Sequence, residues 1–145
     1  MDLLANKKID NLFFFSWLVS IIATFGSLYF SEIKNFVPCE LCWYQRIFMY
    51  PLAILLCIAY VRKEWKMSLY ACILSGIGGC ISLYHYSIQK ITNIGEHAIG
   101  CSVGIPCTAQ YINWFGFITI PFLALIAFIL IFSTNLIIWR SIRGN

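Results

Sequence analysis

The chain has 145 residues, of which 61% are hydrophobic and only 11% charged, with a formal net charge of +4 and a mean hydropathy of +0.81. A soluble domain carries about 25% charged residues, so the composition excludes a soluble enzyme or binding module and points to an all-α membrane protein. The basic residues are dispersed along the chain, which excludes a nucleic-acid-binding patch.

Four apolar stretches reach the length of about 20 residues that a helix needs to cross a bilayer. They cover residues 11–30, 42–61, 67–88 and 114–139. Together they use nearly the whole chain and leave no room for a separate soluble domain, so residues 1–145 read as one four-helix transmembrane bundle. The first stretch follows Lys7 and Lys8, as the core of a signal peptide would. It runs on through Tyr29 and Phe30 without a small-residue cleavage site and is longer than a signal-peptide core, so it is expected to be a retained helix. Gly26-Ser27 within it offers a close-packing point.

Pro38 breaks the chain just ahead of the second span, at Cys39-Glu40-Leu41-Cys42-Trp43-Tyr44-Gln45-Arg46. A helix starting near Cys39 puts Cys39, Cys42 and Arg46 at i, i+3 and i+7, on one face. Cys42 then lies in the first turn, against free backbone N–H groups and the positive end of the helix dipole. Arg46, always charged, sits one turn deeper. Both favour the anionic, exchange-active form of Cys42. An arginine in lipid costs about 2.5–3.5 kcal/mol on insertion scales unless it reaches headgroups or a partner. Arg46 is therefore either an interfacial anchor or a functional cation, and its place one turn below a cysteine favours the second. Cys57 lies about 22 Å along the helix from Cys42, Cys72 in the inner half of the third span and Cys80 mid-membrane. These three read as small apolar packing residues.

Residues 62–66 are a short turn, so spans two and three are antiparallel neighbours. In span three Ser75 and Gly79, and Gly76 and Cys80, are four apart, a spacing that lets membrane helices approach closely. Trp43, Tyr44, Phe48, Tyr50, Tyr84 and Tyr86 fit an interfacial aromatic belt, and any of them could flank a flat ring. His85, near the end of span three, is placed either to hydrogen-bond a ligand carbonyl or simply to lie at the interface.

The connection 89–113 is polar. Ile91, Ile94, Ala98 and Ile99 fit a short segment on the membrane surface, and His97 is expected to face solvent. Cys101 and Cys107 flank five residues in which Gly104 and Pro106 favour a bend that brings the thiols together. So small a loop gains little stability from a disulfide. A labile, exposed disulfide open to attack by a soluble thiol is the better reading. In span four Pro121 is expected to kink the helix.

Lys7, Lys8, Arg62, Lys63, Lys66, Arg140 and Arg143 flank the spans on one side, whereas the other two connections hold only Lys34 and Lys90. By the positive-inside rule both termini are cytoplasmic and both cysteine pairs lie outside. Thiols in that compartment become disulfides. Two pairs beside one bilayer suggest that electrons pass from one to the other and on into the membrane.

The run Cys39 to Arg46, the four spans, the topology and the later outer cysteine pair closely resemble the DsbB family of bacterial disulfide-bond formation proteins. The compact second pair is similar to the BdbC branch of Gram-positive bacteria. The resemblance implies a membrane enzyme that reoxidises a DsbA-like or BdbD-like thioredoxin-fold thiol oxidase and passes the electrons to a membrane quinone, menaquinone in a Gram-positive source and otherwise ubiquinone. It implies that Cys101 forms the mixed disulfide with the partner and that Cys107 attacks the Cys39–Cys42 disulfide at Cys39. Cys42 is then released as the thiolate that meets the quinone, with Arg46 stabilising charge and His85 a candidate quinone contact. The family often has glutamate where this chain has Gln45, a departure that puts an acid–base role at that position in doubt.

Three other classes fit the sequence less well. Relatives of vitamin K epoxide reductase resemble the reverse order of cysteine pairs, often with a fifth helix. A zinc protein built on the four outer cysteines conflicts with an oxidising compartment and with the positive Arg46, so no metal is expected. A purely structural four-span protein leaves Arg46 and the small Cys101–Cys107 loop without a purpose.

Overall fold

The computed structural model describes residues 3–35, 37–90 and 119–144. Cys101, Cys107, His97 and the proposed surface segment lie outside the described residues. Helix α1 (Leu3–Leu28) continues as a π-helical turn, Tyr29–Ile33. Helix α2 (Glu40–Arg62) leads through one 3₁₀ turn, Trp65–Met67, into α3 (Ser68–Lys90), and α4 (Ile120–Arg143) completes the set. Among the described residues there is no strand. Four segments are long and apolar enough to cross a membrane: Asn6–Ile33, Glu40–Arg62, Trp65–Lys90 and Ile120–Arg143. The molecule is an all-helical, multi-pass membrane protein.

Helix is dictated by the solvent. Lipid offers backbone groups no hydrogen-bond partners, so each span must satisfy its own. Polar or strained positions mark the ends. Lys63 adopts a left-handed conformation (φ 55°) and closes α2 by donating its N–H to Ala59 O. Asn35 (φ 52°) follows the π-helical turn. Pro51 lies inside α2, where its missing N–H releases the carbonyl one turn back. Pro121, expected to kink the fourth span, instead sits in the first turn of α4. There its missing N–H is one the helix would not have used, so it starts the helix without bending it.

The helices form a ring in which α1 packs on α2, α2 on α3, α3 on α4 and α4 back on α1, with α3 and α4 the most extensively joined. Phe13, Leu52, Leu56, Phe128, Ile131 and Ile138 fill the core. Ile22, Phe25, Ile54, Tyr70 and Ile73 face outward, as lipid permits. The small residues of α3 do serve packing, but the tightest contact is one the four-residue spacing did not single out. A Cβ on Gly78 would stand 2.4 Å from Phe128 Cε1, whereas Gly79 and Gly76 have ordinary room. Gly26 is not a close-packing point: a Cβ there would meet nothing within 4 Å.

Two polar ties join the ring. Buried Asn135 donates to Ser16 Oγ at 2.7 Å, linking α4 to α1. Lys63 pairs with Asp10, linking the α2–α3 turn to α1. Of the three cysteines expected to pack, Cys72 is buried with its Sγ 3.8 Å from Phe132 O, and Cys57 is half-buried. Cys80 is exposed rather than packed in the core.

Candidate functional site

The site grows from the first turn of α2. Cys39 is the residue before the helix, with extended backbone (φ −74°, ψ 171°), and its carbonyl accepts the N–H of Trp43 at 3.1 Å. The helix begins at Glu40, which makes Cys42 the third helical residue. A residue at the cap and one three positions later face each other across the helix start, the relation that capping boxes exploit. Here that relation sets Cys39 Sγ and Cys42 Sγ 3.3 Å apart as free thiols.

One turn on, two polar side chains diverge. Gln45, buried, reaches across to α3, where its amide lies 3.1 Å from His85 Nδ1. The other ring nitrogen of His85, Nε2, lies 3.6 Å from Cys39 Sγ. His85 is only 1% exposed, so it is a core residue rather than an interfacial one. The Gln45 amide selects its tautomer. If the amide nitrogen donates to Nδ1, then Nε2–H points at the sulfur. If the amide oxygen accepts from Nδ1–H, then Nε2 is the acceptor.

Arg46 turns the other way, to α1. Its Nη2 donates to Ser27 O at 3.1 Å and its Nη1 to Ser31 Oγ at 3.4 Å, and the guanidinium lies 5.6 Å from the Trp43 ring centroid. Ser27 and Ser31 bracket the start of the π-helical turn, in which Lys34 N–H donates to Tyr29 O. The cost of a cation in lipid is thus offset by directed hydrogen bonds.

A cavity of about 460 Å³ opens beside these groups. Cys39, Cys42, Gln45, Arg46 and His85 line one part, and apolar residues of α1 and α4 such as Ile22, Leu123 and Phe128 line much of the rest. That is the size and character of a site for one small organic ligand. Tyr50 also lines it, whereas Trp43, Tyr44 and Tyr84 are exposed, as belt residues are.

The Cys39 thiol is held below its ordinary range, chiefly by the hydrogen bond with Cys42. Burial opposes the shift and the His85 ring adds to it. The expectation of an anionic Cys42 rested on the helix end and Arg46. The structure adds a partner on the other sulfur, His85 Nε2 beside Cys39 Sγ, while Arg46 bonds to Ser27 and Ser31.

The structure therefore brings Cys39, Cys42 and His85 together, places Arg46 on the wall of the same cavity, and leaves Cys101 and Cys107 outside the described residues. Gln45 is a site residue that the sequence reading does not include, since its role depends on His85 of α3. A buried amide in a lipid-facing helix, three residues after Cys42, was the available signal. Ser27 and Ser31 carried no signal, since serine is common at helix contacts in membranes.

The family model for disulfide bond formation protein DsbB matches residues 9–138. The probable disulfide formation protein C of Halalkalibacterium halodurans is 53% identical over 136 residues, covering 94% of this chain and 98% of that protein. Disulfide bond formation protein C of Bacillus subtilis is 57% identical over 116 residues, 80% of this chain and 83% of its own. The SPbeta prophage-derived disulfide bond formation protein B of the same organism is 38% identical over 132 residues, 90% of this chain and 87% of its own. No solved structure matches the chain.

Proposed function

The chain belongs to the DsbB family and is a membrane disulfide oxidoreductase, and from that premise we propose that it reoxidises a DsbA-like thiol oxidase outside the cell and delivers the electrons to a membrane quinone. The orientation proposed is the one the basic residues favour, with both termini cytoplasmic and the Cys39–Cys42 end outside.

In this reading the partner's thiolate attacks Cys101, breaks the Cys101–Cys107 disulfide and forms a mixed disulfide. The partner's second thiol resolves it, and the partner leaves oxidised. Cys107, now a thiolate, attacks Cys39 Sγ, and the electron pair of the Cys39–Cys42 bond leaves on Cys42. Cys101 then attacks Cys107, re-forms the outer disulfide and releases Cys39. The pair is reduced by two electrons, with its negative charge resting on Cys39 between Cys42 and His85.

A quinone in the cavity supplies the two-electron, two-proton acceptor. The cavity fits such a group: its largely apolar walls suit a ring and isoprenoid tail, and Gln45, Arg46 and His85 on its lining can hydrogen-bond a polar head. Arg46, fixed by Ser27 and Ser31, holds a positive charge on the cavity wall. His85, oriented by Gln45, can take the proton of Cys39 or return one.

The observation that carries the reading is the 3.3 Å thiol pair opening onto an apolar cavity that also holds a fixed arginine. The test is turnover of purified protein with a DsbA-like dithiol. Oxidation of that dithiol should require added quinone and cease when quinone is extracted. Full turnover without any quinone would overturn the proposal.

A further inference from the structure

Cys39 Sγ, Cys42 Sγ and His85 Nε2 meet from two helices, and the ligand atoms these residues offer all lie within 4.8 Å of one another. Two sulfurs and one imidazole are a zinc donor set, with Zn–S near 2.3 Å and Zn–N near 2.0–2.1 Å. Around a tetrahedral ion those bonds put the sulfurs about 3.8 Å apart and sulfur and nitrogen about 3.5 Å apart. Cys39 Sγ stands 3.3 Å from Cys42 Sγ and 3.6 Å from His85 Nε2, and the Cys42–His85 pair lies within 4.8 Å, so side-chain rotations of about 1 Å bring the three atoms to those separations. Ligation through Nε2 needs the proton on Nδ1; the Gln45 amide nitrogen stands 3.1 Å from Nδ1, so metal binding requires that amide to flip and its oxygen to accept from Nδ1–H. Partners of this kind fix the tautomer of metal-bound histidines.

We propose that the reduced Cys39–Cys42 pair and His85 form a binding site for a zinc-class divalent cation, and that the cation traps the enzyme in its reduced state. Binding takes both sulfurs as thiolates, so any proton still held on Cys39 or Cys42 leaves to solvent as two S–metal bonds and one N–metal bond form; no electron moves. The product carries no net charge, since two thiolates balance a divalent ion, and that suits a buried position. Arg46 does not forbid it, because its guanidinium is engaged with Ser27 and Ser31 on α1. Sulfur and imidazole ligands select zinc and cadmium over magnesium and calcium. The fourth position of a three-ligand site is open, here toward the cavity that all three residues line. The oxidised pair offers no thiolate, so the site exists only between reduction by the partner and re-formation of the disulfide.

The test needs neither quinone nor partner, so its outcome is separate from that of the proposed turnover. Full-length protein in lipid nanodiscs, with Cys57, Cys72, Cys80, Cys101 and Cys107 replaced by Ala, is reduced with a phosphine. Cd²⁺ is added while sulfur-to-metal charge-transfer absorption is followed, with Zn²⁺ competition against a chromophoric chelator. One equivalent is expected to bind the reduced chain and none the oxidised chain. His85→Gln, which can keep a hydrogen bond to Gln45, should weaken binding at least tenfold, and Gln45→Leu by about 10- to 100-fold. Magnesium should not compete. Equal binding by the oxidised chain, which needs no mutation to examine, would overturn the proposal. So would unchanged affinity in His85→Gln, or one equivalent of Mg²⁺ displacing Cd²⁺.

Discussion

Gly78→Ala tests how closely packing and site are joined. The added Cβ would lie 2.4, 2.5 and 2.9 Å from three carbons of the Phe128 ring. Carbon atoms rest at about 3.5–4.0 Å, so ring and helix must part by about 1 Å or more. The ring is 1% exposed and sits at the most extensive helix contact, α3 against α4. Its open direction is the cavity, which it already lines. Overpacking of this kind costs about 1–3 kcal/mol, and displacement of the ring narrows the cavity. Unfolding in mixed micelles should show that loss, and the KM for quinone should rise. Phe128→Leu combined with Gly78→Ala should recover part of the loss, with a coupling of about 0.5–3 kcal/mol. Gly26→Ala is the control, because its Cβ meets nothing within 4 Å; stability there should hold or improve by about 0.5–1 kcal/mol through helix propensity. If Gly78→Ala matches the parent within about 0.5 kcal/mol and shows no coupling to Phe128→Leu, the contact does not govern packing and the reasoning fails.

Arg46→Met should insert and fold, lose its ties to Ser27 and Ser31, and slow quinone reduction while mixed-disulfide formation at Cys101 survives. Stopped-flow quinone reduction alongside trapping of the partner complex checks this, and a wild-type rate would make Arg46 an interfacial anchor only. Arg46→Lys should rescue incompletely, since a lysine cannot reproduce two divergent donors in one plane. Ala at Cys39, Cys42, Cys101 or Cys107 should each abolish turnover, whereas Ala at Cys57, Cys72 or Cys80 should each preserve it; inactivity of Cys57→Ala or Cys72→Ala at normal expression would contradict the division. Single cysteines at the exposed positions Lys34 and Lys66, in a background without native cysteines, should be labelled by an impermeant maleimide in intact cells at position 34 only. Labelling at 66 alone would reverse the proposed orientation.

The sequence by itself determined the class of fold and where its chemistry begins. Lipid leaves the backbone one economical solution, so four long apolar runs are four helices whatever their neighbours. The Cys39 to Arg46 run was legible because cap and helix spacing are local: a residue at the cap and one three later must face each other. Tertiary structure decided which groups from other helices reach that turn. Nothing local to α3 says that His85 points inward to Cys39 rather than outward with Tyr84, because in lipid both faces of a helix are apolar and hydropathy no longer marks the core. The same blindness hid Gln45, Ser27 and Ser31, whose roles exist only once α2 is set between α3 and α1. It also misassigned Gly26, Cys80 and Pro121. A small residue or a proline has meaning only through what stands opposite it or how far it lies from a helix end, and the packing of the ring sets both.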